Sequence, residues 1–244
     1  MPVFDRSAST EVKIIDQWEE GFGWIAHPEE DGKRTSHAIR GDDGVWVFDP
    51  LDAPEIYQKI SDLGTVKGVV LLSSFHGRNA SQFANHFEVP VYLPTWMERP
   101  TDELTAPMER YEAPPDEWTE LAESDILLRT VDSPVVWREV VAYHRSEKTL
   151  RVPDLLSPVP EFRVGDERVG CYLLHRIAPP RQFFADIEPD RILFGHGEGI
   201  SEDAESVLDT TLANARRYLP RALVFQLPHQ VLAIGSAVYD EFGS

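Results

Sequence analysis

The stretch Lys67-Gly68-Val69-Val70-Leu71-Leu72-Ser73-Ser74-Phe75-His76-Gly77-Arg78-Asn79 decides the architecture. Its first half is apolar without alternation, the pattern of a strand buried on both faces, and Ser73-Ser74 opens a turn. A short amphipathic stretch follows through Ala80, Phe83, Ala84 and Phe87, and then Val89-Pro90-Val91-Tyr92-Leu93 returns to strand character. Strand, loop, helix and strand in this order make a βαβ unit, so the chain reads as α/β. The loop between strand and helix carries His76 and Arg78, which places titratable groups at the rim of a parallel sheet.

Upstream, Val12–Ile15, Phe22–Ala26, Ala38-Ile39 and Val45–Phe48 alternate with turn-forming acids and glycines, which predicts antiparallel strands and hairpins. Pro54 and the spacing of Ile56, Ile60 and Leu63 predict a helix over 54–63 that Gly64 stops. Downstream, Ile126–Leu128, Trp137–Tyr143, Thr149–Val152 and Arg191–Phe194 read as strands, and Ala204–Leu219 as a helix with acids in its first turn and Pro220 as its stop. Between these blocks lies an acidic, proline-rich insertion over 96–125, either a lid or a surface segment whose Trp96, Tyr111 and Trp118 pack back onto the domain.

The 244 residues form one domain by size, and 42% hydrophobic residues exclude disorder as the main state. There are 23 basic and 42 acidic residues, a net charge of −19, and only five of the basic residues are lysines. That bias suits cytoplasm holding molar salt, where the Debye length shrinks to about 3 Å and self-repulsion costs little. It points to a salt-adapted cytoplasmic protein of the haloarchaeal kind. Nucleic acid is a disfavoured partner, since phosphate binding needs clustered cations, although high salt weakens this argument. Cys171 is the sole cysteine, so neither an intramolecular disulfide nor a thiolate zinc cluster can form, and metal chemistry falls to His and Asp. The longest apolar run, Val69–Leu72, is far too short to span a bilayer, and the first residues lack an export signal.

Three loops at strand ends hold the candidate chemistry: 73–79, Pro153-Asp154 and Gly195-His196-Gly197. Motifs for a serine nucleophile elbow, a phosphate loop or a dinucleotide turn do not occur. Taken in order, the three loops resemble the metallo-β-lactamase superfamily over roughly residues 36–200. That resemblance implies an αββα sandwich, four layers with two mixed β-sheets between helices. Asp49 then matches the Asp that ends the opening hairpin, and 69–79 matches the strand and loop of the family's Thr-His-x-His-x-Asp-His motif. Asp154 matches the metal-bridging Asp and His196 the closing Gly-His-Gly histidine.

The match is incomplete. Ser74 stands where the first histidine of the motif belongs, Arg78 where its Asp belongs and Asn79 where its last histidine belongs, and only His76 is kept. Val135 falls where another histidine ligand is expected. Catalytic zinc takes about three protein ligands, so neither inherited metal set is complete and a two-metal hydrolase is not expected. The remnant site is therefore His76, Arg78, Asn79, Asp154 and His196.

Two functions stay open. One is a metal-free protein that binds a small anion or a protein partner at the remnant site. The other is a mononuclear hydrolase of an ester, thioester or phosphodiester, holding one zinc, iron or manganese on His76, Asp154 and His196. Arg78 is expected to pair with Asp154 or another nearby acid in place of the lost metal. His37, just before the first hairpin strand, is the remaining histidine to place relative to the site.

Overall fold

The computed structural model describes Phe4, Asp5, 7–132 and 138–226. Seven strands form the first sheet: β1 (Lys13–Trp18), β2 (Gly21–Ile25), β3 (Thr35–Gly41), β4 (Gly44–Phe48), β5 (Val66–Val70), β6 (Val91–Pro94) and β7 (Met108–Tyr111), side by side in chain order. The β1–β4 pairs are antiparallel, as hairpin turns require, and β4 through β7 run parallel. Helices α1 (Ile56–Leu63) and α2 (Ala80–Phe87) make the first two crossovers of the parallel half.

The second sheet contains β8 (Thr119–Glu120), β9 (Ile126–Asp132), β10 (Arg138–His144), β11 (Thr149–Val152) and β14 (Arg191–Phe194), in the order β14-β11-β10-β9-β8. Its β11–β14 pair is parallel and the others are antiparallel. A small ribbon of β12 (Leu156–Ser157) and β13 (Gly170–Cys171) follows, and α3 (Ala204–Phe225) lies on the outer face.

Period-two alternation explains the layers. In β4, Val45 and Val47 face outward to Ile56, Ile60 and Phe83 of the helices, whereas Trp46 and Phe48 face inward to Ile126, Leu128, Val140 and Leu193 of the other sheet. In and just beyond β5, Val69 and Leu71 face the helices and Val70 and Leu72 the other sheet. On the far side, Leu150, Val152, Ile192 and Phe194 meet Val207, Leu208 and Leu212 of α3. The result is the four-layer αββα sandwich with two mixed sheets.

Two sequence expectations need correction. The first helix begins at Ile56, not at residue 54, because Glu55 sits in the left-handed region at φ 63° and so belongs to the turn. Pro220 does not end α3, which runs on to Phe225. Packing overrides the proline there: Ala222 is fully buried with Val164 and Leu173, and the Gln226 side chain bonds the Phe162 carbonyl.

The acidic segment 96–125 supplies edge strands to both sheets. Trp96 Nε1 donates to Thr130 Oγ1 at 3.0 Å, Tyr111 donates to the Leu71 carbonyl at 2.8 Å, and Trp118 packs against Tyr143 and Phe183. Its aromatics are therefore anchors on the domain. Cys171 is buried in the second core, where burial pushes its thiol up to about 12.

Candidate metal centre

The C-terminal ends of the parallel strands β4, β5, β11 and β14 converge on one rim, and the chain leaving each end contributes a side chain: Asp49, His76, Asp154 and His196. Strand register joins the sheets at this place. Thr35 N donates to Gly195 O at 2.9 Å and Val140 N donates to Leu72 O at 2.7 Å. Gly195 allows the closest approach, since a Cβ there would stand 2.3 Å from Pro153 O and 3.1 Å from the His76 ring.

His76, Asp154 and His196 each offer a ligand atom, and these atoms lie within 4.8 Å of one another. Asp154 Oδ1 is 3.3 Å from His76 Nε2 and 3.3 Å from His196 Nε2. The far side of each ring is also engaged. His76 Nδ1 lies 3.1 Å from Asp49 Oδ2, and His196 Nδ1 is 2.6 Å from the Gly32 carbonyl. An acceptor behind each Nδ1 favours a proton on that nitrogen whenever a cation occupies the space between the Nε2 atoms and the carboxylate.

Three electron-rich atoms facing one another repel unless a cation or a proton lies among them. Spacings of 3.3 Å are long for charge-assisted hydrogen bonds, which settle at about 2.7–2.9 Å. They suit the edges of a coordination tetrahedron, roughly 3.4 Å for bonds of about 2.0–2.2 Å. Asp154 Oδ2 is buried with no hydrogen-bond partner. Two imidazoles with acceptors behind them and one carboxylate with a spare oxygen fit a single divalent cation.

Charge around the cluster is tightly arranged. Burial pushes Asp154 up, but His76 and His196 outweigh it and hold its carboxyl well below the usual range. Asp49 likewise stays ionised against burial because Arg151, His76 and Arg78 surround it. Burial and Arg78 act to lower His76, yet Asp154 and Asp49 prevail and raise it. The buried Glu139 accepts the amides of Asp154 and Leu155 at 3.0 Å, fixing the loop after β11. The rings of Phe4 and Phe162 flank His196, with centroids 6.3 and 6.5 Å away.

Arg78 departs from its expected pairing. Its Nη1 donates to the carbonyls of Thr35 at 2.6 Å and Asp49 at 2.9 Å, and its Nη2 lies 3.5 Å from Gly195 O. The guanidinium thus braces three loops from the side, and the histidines rather than Arg78 contact Asp154. Burial lowers Arg78 to about 10, opposed by Asp49.

Asn79 is not in the cluster either. It precedes α2, its Oδ1 accepts the Asp52 amide at 3.0 Å, and its amide nitrogen faces Gln82. Val135, where a histidine was expected, lies outside the described residues.

Sequence reasoning missed Arg151 and Glu139. An arginine in the otherwise apolar Thr149–Val152 strand and a glutamate within Arg138–His144 were the available signals. His37 reaches the site indirectly, through Arg151, whose Nε is 3.3 Å from His37 Nδ1.

Solved structures share this arrangement of layers. The metallo-β-lactamase DIM-1, exposed to ceftazidime, matches with TM-score 0.63 at 12% identity over 86% of this chain and 99% of that one. The chain has the metallo-β-lactamase fold. The metallo-β-lactamase FIM-1 from Pseudomonas aeruginosa, in its mono-zinc form, matches at 0.59 and 13% identity over 86% and 99% of the two chains. A metallo-β-lactamase from Erythrobacter litoralis, with β-mercaptoethanol in its active site, matches at 0.64 and 10% identity over 85% and 97%. No family model and no curated protein sequence matches this one. At such identities the likeness shows the fold alone. Among the described residues no helix is long and apolar enough to cross a membrane.

Proposed function

We propose that this metallo-β-lactamase-fold protein holds one divalent cation on His76 Nε2, Asp154 and His196 Nε2, and acts as a mononuclear hydrolase of an ester, thioester or phosphodiester. The observation that carries the reading is the pair of Nε2 atoms converging on Asp154 Oδ1 at 3.3 Å, each ring with an acceptor behind its Nδ1. A zinc, iron or manganese ion bound there would supply a water acidic enough to ionise near neutral pH. The chain's own residues do the rest. Asp49 and Gly32 O orient the rings, Glu139 fixes the Asp154 loop, and Phe4 and Phe162 flank His196. Arg78 stands where a second set of ligands would need a carboxylate, which argues for one cation and not two.

A second reading is favoured by the raised basicity of His76. A protonated His76 between Asp49 and Asp154 would satisfy both carboxylates without metal, leaving the site to a small anion or a protein partner. Arg78 supports this less than its charge suggests, because its Nη atoms are engaged by main-chain carbonyls.

A hydrolysis panel separates the two readings. Protein loaded with one equivalent of zinc or manganese in molar KCl is offered an aryl ester, an acyl thioester, a phosphodiester and a β-lactam. Turnover of one class in the wild type, lost in Asp154→Ala, supports the mononuclear hydrolase; no turnover of any class rejects it. The setting belongs to the same proposal: net charge −19 with few lysines supports a salt-adapted cytoplasmic protein of haloarchaeal kind.

A further inference from the structure

Arg151 is a buried cation in a mostly apolar strand, and a buried charge is strongly unfavourable unless it is paired. It lies over the Phe48 ring at 5.6 Å, and its Nη1 is 2.8 Å from Asp49 Oδ2, the oxygen that also faces His76 Nδ1. The other oxygen of Asp49 accepts the Leu72 amide at 3.0 Å. One carboxylate is therefore hydrogen-bonded at Oδ1 and faces two basic side chains at ion-pair distance at Oδ2. Asp49 itself adopts φ 45°, a conformation that needs support from its surroundings.

Behind Arg151 the chain of contacts continues. Arg151 Nε donates to His37 Nδ1 at 3.3 Å, so His37 carries its proton on Nε2, 3.2 Å from Asp16 Oδ2. Asp16 is held in turn by the Gly199 amide at 2.7 Å. Gly23 makes the space, since a Cβ there would stand 2.8 Å from the His37 ring. The Gly199 amide, Asp16, His37 and Arg151 Nε are joined by hydrogen bonds, and Arg151 Nη1 closes the series in its ion pair with Asp49.

We propose that Arg151, backed by His37 and Asp16, is a positioning residue that acts through Asp49 to keep the His76 proton on Nδ1 and its Nε2 turned to the cation site. This inference rests on the single-cation reading for its purpose, while the role of Arg151 rests on its ion pair with the oxygen that lies 3.1 Å from His76 Nδ1. Arg151 touches neither cation ligand nor substrate; its effect is on the tautomer and tilt of His76.

The test uses the full chain in molar KCl, comparing wild type, Arg151→Met and Arg151→Lys. Long-range 15N NMR reads the His76 tautomer without metal, and cobalt(II) titration with its visible bands reads the cation site. Wild type is expected to show a protonated Nδ1. In Arg151→Met that proton should become delocalised or exchange-broadened, with cobalt affinity falling about 10–100-fold. Arg151→Lys, which keeps a charge but not the fork, should lie between the two. A wild-type tautomer and affinity in whichever variant folds overturns the proposal. Failure of the wild type to take up cobalt rejects the single-cation reading, and the tautomer comparison then decides the role of Arg151 by itself.

Discussion

The Nδ1 of His76 lies 3.1 Å from Oδ2 of Asp49, and this contact ties the end of β4 to the candidate site. Asp49 ends β4, whereas His76 follows β5, so the contact joins two parallel strand ends. Its direction is imperfect, and both atoms remain short of a well-formed hydrogen bond. The cluster is thus held by several charges acting together and not by one ideal pair.

Asp49→Asn removes the counter-charge of Arg151 in the space between the sheets. Breaking one side of a buried pair costs about 3–5 kcal/mol, because the other charge stays behind uncompensated. Denaturant unfolding in molar KCl should show a loss of that size; a loss under about 1 kcal/mol would mean that water already reaches Arg151.

His175 is buried with its Nε2 unpartnered, and burial lowers it to about 4 from an ordinary value near 6.5. Its folded form binds a proton less readily than its unfolded form. Stability from this group is whole above about pH 6.5, falls as pH drops toward 4, and is then fully lost. Asp154 has the opposite origin but the same sign, its stabilisation disappearing below about pH 4, as pH falls through its depressed folded value. In His175→Leu the midpoint of urea unfolding should change much less between pH 6.5 and 4.5 than in the wild type. Equal slopes in the two proteins would show that His175 is hydrated in solution.

Pro220 lies inside α3 and removes one helical hydrogen bond, a cost of about 3 kcal/mol in an unconstrained helix. Pro220→Ala is expected to raise stability by about 1–3 kcal/mol, read by thermal unfolding. A destabilised variant would show that a bend at Pro220 is what seats Ala222 against Val164 and Leu173.

The acid-rich surface gives a further expectation. With 42 acidic residues against 23 basic ones, transfer from molar to millimolar KCl should lower the melting temperature or unfold the chain through self-repulsion. A melting curve that does not move between these salts contradicts salt adaptation.

Much of this was legible before the structure. Unalternating apolar runs at Val69–Leu72 and Ile192–Phe194 marked the doubly buried strands, and the loops after them carried His76 and His196. What stayed hidden depended on which face a strand residue takes. Arg151 and Glu139 are single charges within strand segments, and only the register of β11 and β10 turns them toward Asp49 and the Asp154 loop. Arg78, at the motif position of an Asp, suggests an acidic partner by its charge, whereas its Nη1 donates to the Thr35 and Asp49 carbonyls from a left-handed backbone at φ 41°. Pro220 was read by local propensity, which the packing of Ala222 outweighs.

The most direct test is the metal content of untagged protein purified from molar KCl and soaked in zinc, iron(II) or manganese, measured by elemental analysis against protein concentration. The single-cation account predicts close to one ion per chain in the wild type and none in Asp154→Ala. Two ions per chain, or none in the wild type after soaking, would contradict it.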